Sequence, residues 1–351
     1  QGVTNPVDRT ANIEMPQSMI HCVQAHENSF WNSIGILANR TGWMSPRHTA
    51  SALHYYREQY EGSCTIEDCS FTINDGDTPL IAIIAQRLDS DAGKTLASFN
   101  NAMICIEDPE LSHAKARSLC IEQFDLIAKQ ADNGIRFRDE LPNGEMSFLS
   151  RHLLAYGASL DTTLNRVIDL KPDESDLKRN IRKRYKSFIN WGNRELQPIV
   201  LDSEKLTWSE MDVFRNLHAE AAGRQTRTEE SWRRQQSIVE AGEGFVVAGH
   251  IGDELVSAGM FFTSKHNCYY GSSASRRDLF EKPLFHSVLW KAILHAKAMG
   301  CTWFDVGEEI YPNQPAHPAR SDKDVNISAF KTGFGGSTIP YLDIMLENME
   351  Q

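Results

Sequence analysis

Phe245-Val246-Val247-Ala248-Gly249-His250 is a short apolar run. Gly252-Asp253 follows, and then Glu254-Leu255-Val256-Ser257-Ala258-Gly259-Met260-Phe261-Phe262-Thr263. β-Branched and aromatic residues on both sides of a Gly-Asp pair predict two strands joined by a tight turn. Reading outward, Lys265-His266-Asn267 turns the chain again and Cys268 to Ser272 forms a third strand. Pro283 then opens a helix, because its fixed φ is preorganised for a first helical position. Phe285, Val288, Leu289, Ala292, Ile293, Ala296 and Met299 recur at three and four, so one stripe is buried, and Gly300 ends the helix. Thr302 to Val306 is the next strand, which makes the helix a right-handed crossover between parallel strands. Thr338 to Leu346 is the last.

The first half repeats this order more faintly. Phe71 to Asn74, a turn at Asp75-Gly76-Asp77, and Pro79 to Leu88 predict a hairpin. Ala102 to Ile106 is a further strand. Ser112 caps a helix carrying Leu119, Phe124 and Ile127, which stops at Gly134, and Ile135 to Phe137 is a strand. Meander, helix and strand thus appear twice, about 170 residues apart, as in a duplicated α/β unit. Between the halves, Pro172 to Asn190 predicts one amphipathic helix. Asp173, Glu174 and Asp176 fill its first turn, and Leu177, Ile181, Tyr185 and Phe188 form the buried stripe. Lys178, Arg179, Arg182, Lys183, Arg184 and Lys186 cover the rest. This basic face is either a solvated surface or a dock for phosphates or tRNA.

The 351 residues allow two domains with a core each, and the formal charge of -11 gives no general attraction to nucleic acid or anionic membrane. A polyanionic ligand must therefore meet a local basic patch, and DNA is not an expected partner. No run of about 18 apolar residues is present to span a membrane. Gln1 to Pro16 is polar and lacks an apolar signal core. Seven cysteines with no Cys-x-x-Cys pair suggest reduced thiols and a cytoplasmic location. Four residues separate Cys64 from Cys69, and no second cluster joins His21, Cys22 and His26, so no metal site is expected.

The closing stretch from Ile327 to Gly336 places Lys331 in an apolar turn that runs into Gly333-Phe334-Gly335-Gly336. Glycines permit close backbone approach to a ligand, and an apolar flank strengthens the field of a cation. The plainer alternative is a helix end with a glycine stop. Asp305 and Glu308 lie at the C-terminal end of a parallel strand, where ligands bind in open α/β sheets. Either carboxylate suits a general base; Asp305 equally suits a turn carboxylate, and sequence does not choose between Glu308 and Glu309. Tyr269, Tyr270 and Trp232 suit stacking on a sugar or base, or a place in the core. His286 and Trp290 fall beside the buried stripe and read as structural.

From Leu177 onward the ordered series resembles the FemABX-like proteins, which carry two tandem GNAT-type acyltransferase modules. It comprises Arg182-Lys183-Arg184-Tyr185-Lys186-Ser187 with Ile189-Asn190-Trp191-Gly192, Leu217-His218, Gly223-Arg224-Gln225-Thr226-Arg227 and Trp232. Tyr269-Tyr270-Gly271-Ser272-Ser273-Ala274-Ser275 follows, then Pro283 with His286, Trp290 and Ala296-Lys297, Phe304-Asp305-Val306-Gly307-Glu308, and Phe330-Lys331 with the closing glycines. The resemblance implies an α/β fold with mixed sheets in two GNAT-like modules, a degenerate one at 1–170 and one at 171–351 bearing the motifs.

The resemblance also implies transfer of an acyl or aminoacyl group to an amine, with Lys331 near the donor. The expected reaction moves an acyl group from acyl-CoA to an amino sugar, sugar nucleotide or lipid-linked glycan precursor. The alternatives are aminoacyl-tRNA-dependent peptidyl transfer to a cell-wall precursor, and a silent glycan-binding module. The donor is a co-substrate and no permanent cofactor is expected. Arg224 and Arg227 are then read as gripping an acceptor diphosphate. The strand at Tyr269 to Ser272 is the candidate edge whose N–H groups meet the oxyanion, and Ser272 and Ser273 are read as substrate-binding. Two departures stand out. Arg234 to Gly244 leaves no room for the helical arm of some peptidyltransferases, and Ser272 to Pro283 lacks the pyrophosphate loop of ordinary GNAT enzymes. The acceptor is expected in the cleft between modules.

Overall fold

Strand pairing runs unbroken across the middle of the chain. The computed structural model describes residues 19–110, 114–313, 320–347 and 349; the expected Ser112 cap and the polar start at Gln1 to Pro16 lie outside them. The first segment contains β1 (Ile20–Gln24), α1 (Phe30–Thr41), α2 (Ala50–Glu58), β2 (Thr65–Asp68), β3 (Phe71–Asp75), β4 (Thr78–Ile84), β5 (Gln86–Ser90), β6 (Gly93–Ala97), β7 (Ile104–Glu107), α3 (Ala114–Ala128), β8 (Ile135–Asp139), α4 (Phe148–Ala155) and β9 (Ser159–Asp169). The second contains α5 (Glu174–Arg179), α6 (Lys183–Glu195), β10 (Ile199–Leu201), α7 (Trp208–Ala222), α8 (Glu229–Glu240), β11 (Gly244–Ile251), β12 (Glu254–Thr263), β13 (Asn267–Ser275), α9 (Leu284–Ala298), β14 (Trp303–Glu308), α10 (Asp322–Thr332) and β15 (Ser337–Leu346).

Four strands form one sheet in the order β1-β3-β4-β7, and eleven form the other in the order β10-β11-β12-β13-β14-β9-β15-β8-β6-β5-β2. The duplicated order is present as β3-β4-β7-α3-β8 and β11-β12-β13-α9-β14. In both, a helix joins parallel neighbours: β13 pairs parallel with β14, and Met103 bridges Phe137 in parallel. The sheet crosses the expected boundary at residue 170. β9, from the first segment, lies antiparallel between β14 and β15, and β15 in turn pairs with β8. Each half is therefore closed by a strand from the other. The cores mix as well: Phe30, Tyr55 and Tyr56 share one cluster with Phe214, Trp232 and Val246. Phe214 and Trp232 meet edge to face at 5.2 Å, an arrangement that adds about 1 kcal/mol to area burial.

Three sequence expectations change. The basic segment at 172–190 is two helices, α5 and α6, separated by residues 180–182. The Arg182 N–H donates to Gly333 O at 2.8 Å, and a side chain at Gly335 would meet Asn180 at 3.3 Å, so the closing glycine loop seats in the break. The run from Pro79 to Leu88 divides at Ala85 into β4 and β5, which belong to different sheets. Pro283 precedes the first helical residue of α9 and occupies the cap position. All seven cysteines are unpaired.

Candidate active site

The site begins where two paired strands part. β13 and β14 share three register positions, ending at Tyr269 opposite Asp305. Each strand is irregular just beyond that pair. β13 shifts register against β12 so that Gly271 has no partner, and β14 shifts against β9 at Val306. Bulges bend a strand and raise its twist, so the two diverge from this point. β13 continues for six more residues with its β14-facing edge unpaired.

Asp305 fixes the end of β14. Asn165 Nδ2 donates to both of its oxygens at 3.2 and 2.9 Å, the Gly307 N–H donates to Oδ1 at 2.7 Å, and the Tyr341 hydroxyl to Oδ2 at 3.4 Å. This buried carboxylate thus stabilises the turn that puts Gly307 at φ +108°. Glu308, one residue on, is ion-paired with Arg320 at 2.5 Å and half-buried. Glu309 accepts from Tyr311 at 2.7 Å and Thr338 at 2.6 Å, with Arg166 at 3.7 Å. Burial alone would raise its pKa, but those partners outweigh it and hold the group below the usual range.

Lys331 occupies the last turn of α10, where a cation complements the helix dipole. Ser321 and Asp324 form the capping box that starts this helix. The lysine side chain lies along Gly307: a Cβ there would sit 2.6 Å from Nζ. Nζ is 5.2 Å from the centre of the Tyr270 ring and has no carboxylate within 4 Å among the described residues. Burial pulls its pKa below the ordinary lysine range, against the opposing effects of Tyr269 and Asp305. Tyr270 stacks on Phe285 at 5.4 Å, and burial raises its pKa although its hydroxyl is hydrogen-bonded to Ser273.

A 380 Å³ pocket opens on the other side of Tyr269, between the two segments. Arg47, Tyr55, Tyr56, Asn100 and Asn101 line it from the first segment, and Arg227, Gln235, Tyr269 and Ser272 from the second. Two arginines and, among the described residues, no carboxylate line it. The Arg47 guanidinium lies 4.0 Å over the Tyr269 ring. Burial by itself would disfavour its charge, but Tyr269, Tyr56 and Asp305 more than offset this, so it stays a cation. Arg227 packs 5.6 Å over Trp232 and touches His218 at 3.4 Å. Ser272 Oγ and Gln235 Nε2 are buried in the wall without a hydrogen-bond partner among the described residues. Such atoms cost about 1–3 kcal/mol each when left unpaired. Asn100 and Asn101 are presented by a turn closed by reciprocal Ser98 and Asn101 bonds of 2.9 Å, in which Phe99 takes φ +57°. A bulky residue in that region stores about 1–3 kcal/mol, a strain typical of functional sites.

The structure thus brings Lys331, Asp305, Glu308, Tyr269, Tyr270, Ser272 and Ser273 around the parting strands, with Arg227 across the pocket. Trp232 is 2% exposed within the core, and Arg224 is exposed and outside the pocket lining. Trp290 is buried, and His286 is ringed by Tyr185, Phe188 and Phe330 at 4.5–5.0 Å. Burial lowers the His286 pKa to about 4. Sequence reading missed Arg47, Asn165, Gln235 and the Asn100-Asn101 turn. A larger cavity, of 730 Å³, is lined by β5, β6, β8 and β15 and shares no residue with this site.

No protein-family model and no curated protein sequence matches the chain. Among solved structures, one described as "Crystal structure of FemX" superposes with a TM-score of 0.68 at 10% identity, covering 90% of this chain and 96% of that one. The chain has the tandem GNAT fold. A tandem GNAT protein from the clavulanic acid biosynthesis pathway aligns at TM-score 0.51 and 10% identity, over 94% of this chain and 98% of that one. The C-terminal domain of a putative lysylphosphatidylglycerol synthetase from Agrobacterium fabrum aligns at 0.57 and 14% identity, over 89% of each. At these identities the likeness carries the fold alone.

Proposed function

We propose that the chain is an N-acyltransferase that binds an acyl donor where β13 and β14 part and an anionic amine acceptor in the Arg47–Arg227 pocket. The observation that carries this is the placement of Lys331. A lysine with no carboxylate within 4 Å among the described residues lies against the Gly307 backbone at the point of divergence and faces the ring of Tyr270, the neighbour in sequence of the pocket-wall residue Tyr269. The unpaired edge of β13 accepts an extended, amide-bearing arm by strand addition. This favours a pantetheine-type donor, acyl-CoA, over an ester-linked aminoacyl-tRNA.

In the proposed reaction the acceptor nitrogen attacks the acyl carbon. The N–C bond forms, negative charge grows on the carbonyl oxygen, and the C–S bond breaks with the thiolate leaving. Lys331 and N–H groups of the β13 edge stabilise that oxygen. Glu308 takes the proton released by the amine; among the described residues its partly exposed carboxylate has Arg320 as its side-chain partner, whereas Asp305 and Glu309 accept several hydrogen bonds each. Asp305 acts as a positioning residue, holding the Gly307 turn under Lys331. Arg47, Arg227 and the unpaired Ser272 hydroxyl favour an acceptor bearing phosphate or carboxylate oxygens, such as an amino-sugar nucleotide or a lipid-linked precursor. The fold leaves this solely to the site, because GNAT-like modules support many reactions.

The test is the thermal unfolding midpoint with acetyl-CoA, free CoA and charged tRNA, each titrated separately. A donor that binds only the folded chain raises the midpoint by mass action. A saturable rise with CoA ligands supports the reading. A rise with charged tRNA alone moves the donor assignment to aminoacyl-tRNA, and no rise with any of them overturns the donor site.

A further inference from the structure

The surface beside α6 has a composition unlike the rest of this acidic protein. Phe280 is 86% exposed, the most exposed of the large apolar side chains among the described residues. It lies in the loop between β13 and α9, flanked by Arg277 and Lys282, both exposed. The preceding residue, Leu279, packs with Trp191 of α6 on the cluster of Leu196, Val256 and Leu284, so the loop and the helix form one surface. On α6, Lys183, Arg184 and Arg194 are exposed and have no carboxylate within 4 Å among the described residues. The Arg184 guanidinium lies 5.0 Å over the Phe188 ring, and the residue is exposed. Glu195 and Glu281 are exposed acids of this face, and Arg276 is shared between Asp278, at 2.5 Å, and Glu254, leaving Arg277, Lys282, Lys183, Arg184 and Arg194 in excess of the acids. The patch therefore carries a net positive charge on a chain whose total is -11.

We infer that this surface docks the protein onto an anionic lipid bilayer, with Phe280 inserted at the headgroup boundary and the cations of α6 and the loop against the lipid phosphates. An exposed aromatic tip bracketed by Arg and Lys matches the two contributions that peripheral binding needs, buried apolar area and attraction to anionic lipid. A folded RNA fits less well. It would meet a patch of few cations on an acidic body, and it gives no reason for an exposed apolar ring. The patch also borders the donor end of the site: Arg182, at the start of α6, donates to Ala329 O in the helix that carries Lys331. The inference rests on the surface and stands apart from the reaction.

Vesicle flotation of the full chain tests it, using phosphatidylcholine vesicles with and without about a third phosphatidylglycerol. The expected result is flotation with the anionic vesicles, reduced by raised salt, and little with phosphatidylcholine alone. Phe280→Ser should weaken partitioning about fivefold, and Lys183→Glu with Arg184→Glu by at least 25-fold, given roughly fivefold for each cation near an anionic surface. All three positions are exposed, so circular dichroism should show an unchanged fold. Failure of the wild-type chain to float with anionic vesicles overturns the inference. So does flotation indifferent to Phe280→Ser, or a bulk tRNA preparation being bound in its place with the α6 reversal abolishing that binding.

Discussion

Gly307→Ala tests whether the position of Lys331 matters. Gly307 has φ +108°, a region in which a side chain costs about 1–3 kcal/mol. The new methyl would stand 2.6 Å from Lys331 Nζ, where ordinary contact begins at 3.4 Å. The lysine end is flexible and yields, so the ammonium retreats by about 1 Å, and a shift of that size costs about 100-fold in a positioned reaction. Gly300→Ala is the control. Its φ is +94° and nothing lies within 4 Å of the added methyl, so it carries the backbone strain without the displacement. Both variants should lose about 2–5 °C of thermal midpoint. Only Gly307→Ala should lose transfer, measured as thiol release from acyl-CoA in the presence of an amine acceptor. Equal midpoint losses with a Gly307→Ala rate within threefold of wild type would refute the claim that Lys331 acts from this position.

Three further outcomes are expected. Arg47→Met and Arg227→Met should each raise the acceptor KM by about 10-fold or more, while Arg224→Met, exposed and outside the pocket, should stay within about twofold; steady-state kinetics in acceptor check this. Burial holds the His48 pKa down at about 4, and its ring bonds Ala102 O at 2.9 Å and Ser45 Oγ at 3.1 Å. The unfolded chain binds this proton more readily, so the stability His48 contributes is present above about pH 6.5 and is lost as pH falls toward 4. Acid unfolding of His48→Gln should show a shallower loss across that window. Trp43 donates to Glu140 at 2.6 Å and packs on Trp303 and Tyr341, joining the two segments, so Trp43→Ala should destabilise by about 3–5 kcal/mol in urea unfolding.

The second half of the fold was legible because its signals are local. β12 spans the predicted Glu254–Thr263, and the Gly252-Asp253 turn, α9 and β14 lie where periodicity and glycine punctuation put them. Long-range placement was not legible. Nothing in Ser159–Asp169 or Ser337–Leu346 announces that β9 and β15 pair side by side and close each other's halves, since a strand's neighbour is set by the whole sheet. The basic segment reads as one helix by periodicity, and its break depends on Gly333–Gly336, some 150 residues away in sequence. In the site, Lys331, Asp305 and Tyr269 were visible through motif order, and Asp305 proved to be bonded into a turn. Arg47 sits in Ser45-Pro46-Arg47-His48 with no spacing that marks it, and only the fold brings it over Tyr269. Gln235 lies on an amphipathic helix whose pattern gives it no distinction; its buried, unpartnered amide is apparent in three dimensions alone.

The central claim is that Lys331 stabilises the acyl oxygen at the parting of β13 and β14. The most direct measurement is acyl transfer by wild type and Lys331→Met with labelled acetyl-CoA and a panel of anionic amino sugars, alongside donor affinity by calorimetry. The account predicts a loss of about 100- to 1,000-fold in turnover with donor affinity changed by less than about threefold. Undiminished transfer by Lys331→Met would contradict it.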